Sequence, residues 1–179
     1  MGSSISTEME NLLLVGFMGA GKSTVGRKLA QLTGWEFVDL DALVEREALC
    51  TIKEIFKNHG EKTFRKKESA ALASLVDQKN KIIATGGGIV GSAENWTLMK
   101  RIGPIVYLQV CWGTILERLS GCDDRPLFNM QEINRVRQLF ESRLPLYEKA
   151  DKIVVSDGKL PEAVSMEIYE WLTKEFPRV

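Results

Sequence analysis

The run L-L-L-V-G-F-M-G-A-G-K-S-T-V-G-R-K-L-A-Q-L, from Leu12 to Leu32, decides how the rest of the chain is read. Its opening, Leu12-Leu13-Leu14-Val15, is an unbroken apolar stretch of the kind that forms a strand buried in a parallel sheet. Gly16-Phe17-Met18-Gly19-Ala20-Gly21-Lys22-Ser23 then satisfies GxxxxGKS, the phosphate-binding loop. Beyond it Val25, Leu29 and Leu32 recur at i, i+4 and i+7, with Arg27, Lys28 and Gln31 off that stripe, so a helix follows. Strand, glycine loop and helix in this order make an anion site. Glycines let successive backbone N–H groups turn inward, and the helix dipole favours negative charge at its start. Lys22 is expected to reach the β- and γ-phosphates of a nucleotide, and the Ser23 hydroxyl to ligate Mg²⁺.

Working outward, the 179 residues fit one domain with a well-developed core, and 44% hydrophobic with 27% charged residues is ordinary for a globular protein. Lys+Arg and Asp+Glu number 24 each, which gives no case for nucleic acid or an anionic membrane as partner. Cys50, Cys111 and Cys122 are odd in number, widely spaced and without a CxxC pair. That pattern argues for reduced thiols in a cytosolic setting and against a disulfide framework or a zinc site. His59 is the only histidine, so a histidine-based triad has no support and a solvated helix-end role is expected. No apolar run approaches membrane-spanning length, and the amino terminus shows no signal-peptide core. Residues 1–10 are expected to be disordered.

Gly34 ends the first helix, and Trp35 to Asp39 reads as a second strand with Asp39-Leu40-Asp41 at its carboxyl end. Ligands of parallel α/β sheets bind outside the carboxyl ends of strands, so these aspartates are candidates for function as well as for helix capping. Ala42 to Leu49 is expected to be helical. Thr51-Ile52-Lys53-Glu54 is a capping box opening another helix, which Gly60 stops. In the helix from Glu61 to Val76, Arg65 stands four residues after Glu61 and three before Glu68, so both acids can hold it. Lys81 to Thr85 is a third strand, ending in Gly86-Gly87-Gly88, either a plain turn or room for a ligand against bare backbone. Further elements follow in alternation: helix 92–101, strand 104–110, helix 114–119, helix 131–144, strand 153–155 and helix 160–176. The polar segment 120–132 between two helices reads as a lid. Strands alternating with helices give an α/β fold, a three-layer α/β/α sandwich on a five-stranded parallel sheet. The domain spans 1–179, with a substrate-side helical region at 42–78.

The order of the motifs makes the resemblance specific. The chain resembles the shikimate kinases, P-loop kinases of the nucleoside-monophosphate-kinase-like group. The motifs that carry it are G-F-M-G-A-G-K-S-T at Gly16–Thr24, D-L-D at Asp39–Asp41, G-E-K-T-F-R at Gly60–Arg65, G-G-G at Gly86–Gly88, R-P-L at Arg125–Leu127 and R-L-P-L-Y at Arg143–Tyr147. The resemblance implies transfer of the γ-phosphoryl of ATP to the 3-hydroxyl of shikimate, with Mg²⁺ as cofactor. It implies that Asp41 hydrogen-bonds the substrate hydroxyls and, with Lys22 and the lid arginine Arg125, is catalytic. Gly19, Ala20, Gly21, Lys22, Ser23, Thr24, Arg118 and Arg125 would hold the nucleotide, Arg118 near adenine. Asp41, Arg65, Gly86, Gly87, Gly88 and Arg143 would hold shikimate, the two arginines gripping its carboxylate. Ser23 and Asp39 would serve the metal. A forked guanidinium suits a carboxylate, and an aspartate can take the attacking hydroxyl's proton. One departure stands out: the adenine loop Val155 to Pro161 keeps the proline of the family pattern but lacks the Arg or Gln before it. A cytoplasmic monomer, with shikimate and ATP as partners and neither nucleic acid nor membrane, is the expectation. The alternatives are a kinase for another small hydroxy acid such as gluconate, or a non-catalytic nucleotide-binding module.

Overall fold

The computed structural model describes residues 11–120 and 130–176. The expectations for residues 1–10, for Arg125 and for most of the 120–132 lid lie outside the described residues. Five strands, β1 (Asn11–Val15), β2 (Glu36–Asp39), β3 (Lys81–Ala84), β4 (Ile105–Gln109) and β5 (Lys152–Val155), form one parallel sheet in the order β2-β3-β1-β4-β5. Around it run α1 (Lys22–Thr33), α2 (Leu40–Ala48), α3 (Ile52–Ala73), α4 (Ala93–Ile102), α5 (Trp112–Ser120), α6 (Met130–Tyr147) and α7 (Pro161–Glu175). The α/β/α architecture is the one expected. The central strand explains its sequence: Leu12, Leu13, Leu14 and Val15 are wholly buried, and only a strand covered on both faces hides four successive side chains.

Right-handed crossovers fix where the helices go. The step from β1 to β2 runs one way across the sheet, those from β3 to β4 and β4 to β5 the other way. Connections therefore part at β1: α1 covers one face, where it packs on α7, and α4 covers the other. A crevice opens outside the carboxyl ends of strands at such a switch point. Register keeps those ends level, since Asp39 pairs with Ala84 and Ala84 with Leu14. Thr85 clamps the same end, donating through its N–H (3.1 Å) and its hydroxyl (2.9 Å) to the Leu14 carbonyl.

Local signals in the sequence set most helix ends. Gly34, at φ 73°, closes α1 by donating its N–H to the Ala30 carbonyl. Thr51 and Glu54 form the reciprocal capping box of α3, and Gly60, at φ 76° and ψ 170°, breaks that helix where a stop is expected. Several boundaries differ. α2 starts at Leu40 rather than Ala42 because Asp39 caps it, accepting from the N–H groups of Asp41 and Ala42. α5 starts at Trp112 rather than Thr114, where Cys111 N–H donates to the Asp157 carboxylate at 2.8 Å, a cap supplied from a distant loop. α6 runs past Leu144 to Tyr147, tolerating Pro145 because it stands in the last turn, where only one ladder bond is lost. α5 and α6 also take in Ser120 and residues 130–132, the two ends of the expected lid. A single 3₁₀ turn at Ile89–Gly91, too short to read from periodicity, follows the triglycine.

Candidate active site

The phosphate loop wraps between β1 and α1 with Gly19 at φ 77° and Gly21 at φ 90°, conformations that a side chain would strain. Buried Ala20 donates its N–H to the Phe17 carbonyl, and exposed Thr24 follows in the first turn of α1. Lys22 lies against its own loop, its Nζ donating to the carbonyls of Gly16 (2.8 Å) and Phe17 (3.0 Å). Burial pushes the Lys22 ammonium down to about 8, against the pull of Asp41 and Asp39. Ser23 donates its hydroxyl to Asp39 Oδ2 at 2.8 Å. Asp39 thus joins two jobs weighed as alternatives: one oxygen caps α2 and the other reaches the loop serine.

Asp41 lies in the first turn of α2 with its Oδ1 buried and without a partner among the described residues. Burial first, then Asp39, lift its carboxyl above the usual range, with Lys22 and Arg65 opposing. Arg65 donates from Nη1 to Glu68 (2.8 Å) and from Nε and Nη2 to Glu61 (3.3 and 3.2 Å), the paired grip its spacing predicts. Burial works against the Arg65 charge, but Glu68 and then Glu61 more than offset it. Glu68 is completely buried, and its second oxygen, Oε1, has no partner among the described residues. Burial raises its carboxyl, Arg65 offsetting only part of the effect.

The triglycine is more than a plain turn. A Cβ on Gly86 would stand 2.7 Å from Glu68 Oε1 and 2.8 Å from Asp41 Oδ1, the two oxygens left unpaired. On Gly87 it would make ordinary contact with the phosphate loop, 3.4 Å from Met18 N and 3.5 Å from Gly16 O. On Gly88 it would run into the Arg65 guanidinium. Gly86 and Gly88 are bare because a working part of the site occupies the space. Beyond Gly88 opens a cavity of about 900 Å³, lined by Glu61, Arg65, Gly88 and Arg143 among others. Arg143 comes to it from α6, its guanidinium 5.9 Å over the Phe17 ring.

A second cavity, of about 390 Å³, lies along the other flank of the loop, between Gly19 to Gly21, Thr24, Arg118 and the Ser156 to Pro161 segment. Arg118 Nη1 donates to the Gly19 carbonyl at 2.6 Å, which fastens α5 to the loop. The structure thus brings together Lys22, Ser23, Asp39, Asp41, Arg65, Gly86 to Gly88 and Arg143 at the strand ends, with Arg118 on the opposite flank. Arg125 alone of the expected residues lies outside the description. Sequence reasoning assigned Glu68 to Arg65 but missed its burial. The signal was there: Phe64, Glu68 and Leu72 stand at i, i+4 and i+8, an acid inside an apolar stripe.

The carboxyl ends of the strands thus carry a phosphate loop together with a cavity lined by acids and arginines. That chemistry makes the chain an ATP-dependent P-loop kinase of a small molecule. The family model described as shikimate kinase matches residues 18–173, and the chain belongs to that family. A shikimate kinase of Sulfurihydrogenibium sp. is 42% identical over 160 residues, which cover 89% of this chain and 96% of that protein. Another, from Thermodesulfovibrio yellowstonii, is 38% identical over 172 residues, with 96% and 97% covered. Among solved structures, shikimate kinase from Acinetobacter baumannii in complex with shikimate superposes with a TM-score of 0.87 at 35% identity, covering 96% of this chain and 97% of that one. A gluconokinase from Sinorhizobium meliloti, at 18% identity and TM-score 0.62, shares the fold, and that likeness does not favour gluconate as substrate.

Proposed function

We propose that this chain transfers the γ-phosphoryl of ATP to the 3-hydroxyl of shikimate, giving ADP and shikimate 3-phosphate. The observation that carries the reading is the cavity where Arg65 and Arg143 meet beside Gly88, with the unpaired Asp41 oxygen behind Gly86. Two guanidinium forks suit one carboxylate, and an unpaired carboxylate oxygen suits a polyol's hydroxyls. In the reaction the bond from the γ-phosphorus to its bridging oxygen breaks, and a bond to the shikimate oxygen forms. The hydroxyl proton passes to Asp41, whose raised pKa makes it the stronger base. Lys22 leaves the loop carbonyls for the phosphates, where negative charge holds it protonated. Arg65 and Arg143 hold the carboxylate, and the N–H groups of Gly86 to Gly88 face the ring. Gly19, Ala20, Gly21, Ser23 and Thr24 cradle the phosphates, with Arg118 flanking the adenine. Arg125 belongs to the same scheme as the phosphate-facing arginine of the lid.

The hard oxygen pair of Ser23 and Asp39 fits Mg²⁺, which takes one or two protein oxygens and completes its shell with water and phosphate. Among the described residues no cluster of three or more His, Cys, Asp or Glu could hold a metal ion by itself. When bound, the ion would neutralise charge on the β- and γ-phosphates. No helix among the described residues is long and apolar enough to cross a membrane. A cytoplasmic monomer acting without nucleic acid completes the reading. The test is ADP release coupled to an indicator reaction, with shikimate, quinate and gluconate side by side. Turnover with shikimate well above the others is expected, and preference for gluconate or no turnover at all overturns the reading.

A further inference from the structure

Of the motifs that single out this chain, R-L-P-L-Y at Arg143–Tyr147 is used above only at its first residue. Its last residue, Tyr147, is wholly buried, and its hydroxyl donates to the Gly87 carbonyl at 2.6 Å, a contact 60 residues apart in sequence. Gly87 is the middle of the triglycine, and the space over its Cα is bounded by Met18 N and Gly16 O of the phosphate loop and by the Tyr147 hydroxyl. Arg143 lies one helical turn before Tyr147 on the same face of α6, and its positive charge acts on the phenol. The hydroxyl thus ties α6, which carries the carboxylate-facing arginine, to the triglycine backbone at Gly87. The ring itself is immobilised by stacking on Tyr107, with centroids 5.0 Å apart and planes 18° from parallel. Burial lifts the Tyr147 phenol far above its ordinary value, so it remains a donor at any working pH.

We propose that Tyr147 is a positioning residue for the phosphoryl transfer, its hydroxyl holding the Gly87 peptide in register with α6 and its Arg143 for the acidic substrate. This rests on the functional reading above. Tyr147 touches no substrate in it; the residue acts through the triglycine. A hydroxyl that only filled the core would affect nucleotide and acid alike. One that sets Gly87 affects the acid alone, because the nucleotide is held by the other flank of the loop.

The test is Tyr147→Phe, which keeps the ring and its stack and deletes one oxygen, with Tyr107→Phe beside it. The Tyr107 hydroxyl is equally buried but has no partner among the described residues, so its deletion controls for loss of a polar atom in the same stack. Calorimetry with shikimate and with ATP, and steady-state KM and kcat for each, are measured on wild type and both variants. For Tyr147→Phe, shikimate affinity is expected to fall on the order of ten-fold, a loss fitting one buried hydrogen bond, with ATP affinity unchanged. Tyr107→Phe is expected to match wild type for both ligands. A Tyr147→Phe protein that binds shikimate normally, loses both ligands equally or fails to fold overturns the proposal. So does a Tyr107→Phe protein with the same selective loss. Wild type that binds no shikimate overturns the functional reading, and the proposal with it.

Discussion

The two halves of the site differ in how far their own groups satisfy one another. On the phosphate side three polar side chains have partners: Lys22 on the loop carbonyls, Ser23 on Asp39, and Asp39 on the start of α2. On the acid side two buried oxygens, Asp41 Oδ1 and Glu68 Oε1, have none among the described residues and converge on the space a Gly86 side chain would fill. A buried acceptor left unpaired costs about 1–3 kcal/mol, so the acid side is the strained one. The phosphate half is a backbone device closed on itself. The acid half is assembled from α2, α3, α6 and the triglycine.

The largest effects should come where the halves meet. Asp41→Asn keeps the shape and removes the base, so kcat is expected to fall by about 10²–10⁴-fold with circular dichroism unchanged. Lys22→Ala should fall on a similar scale, because stabilisation of phosphoryl charge is lost while no cavity opens in the core. Near-normal turnover of either variant would erase the division of labour. Next come Arg65→Ala and Arg143→Ala, each expected to weaken shikimate binding by about ten- to a hundred-fold and ATP binding little. Equal losses for the two ligands, measured by calorimetry, would merge the halves into one.

A subtler contrast lies in pH. Lys22 in the free protein titrates near 8, and phosphate stabilises only its charged form, so binding raises that value again. ATP affinity is therefore full below about pH 8 and falls as pH rises from there toward the bound lysine's value, by up to roughly ten-fold per unit. Shikimate affinity should be flat over the same range. Calorimetry in buffers of different ionisation heat should detect proton uptake with ATP alone; its absence would detach Lys22 from the phosphates. The smallest effect falls outside both halves. Thr51→Ala removes the capping box of α3 and should cost about 0.5–2 kcal/mol in urea unfolding with KM values intact. A shifted shikimate KM would mean that α3 transmits its end to Arg65.

The same asymmetry governs what could be read from sequence. The phosphate half is nearly contiguous, Gly16 to Ser23, so its spacing alone specifies the loop. Gly34 and the Thr51–Glu54 box were equally legible, because a cap is a local device. The acid half was legible only through resemblance, since Arg65, Gly88 and Arg143 meet by folding rather than by spacing. What escaped was non-local or hidden. The burial of Glu68 needed the packing of α3. The cap on α5 comes from Asp157, and the partner of Gly87 from Tyr147, 60 residues on. Asn11 escaped as well: it closes the far end of β1 by donating to Gln78 and Ile102 and accepting from Lys81 N–H.

The clamp from Thr85 onto the Leu14 carbonyl bears on how the protein is made. The two residues stand 71 positions apart, and β1 otherwise pairs only with β3 and β4, both later in the chain. At about 5–20 residues per second, a ribosome releases the loop's residues several seconds before the strands that hold them. A nascent chain stopped short of Thr85 carries the nucleotide-binding letters without the frame that shapes them. Nucleotide therefore cannot act as an early folding aid here. Its capture marks the moment at which synthesis has passed the middle of the chain and the central strand has found both neighbours.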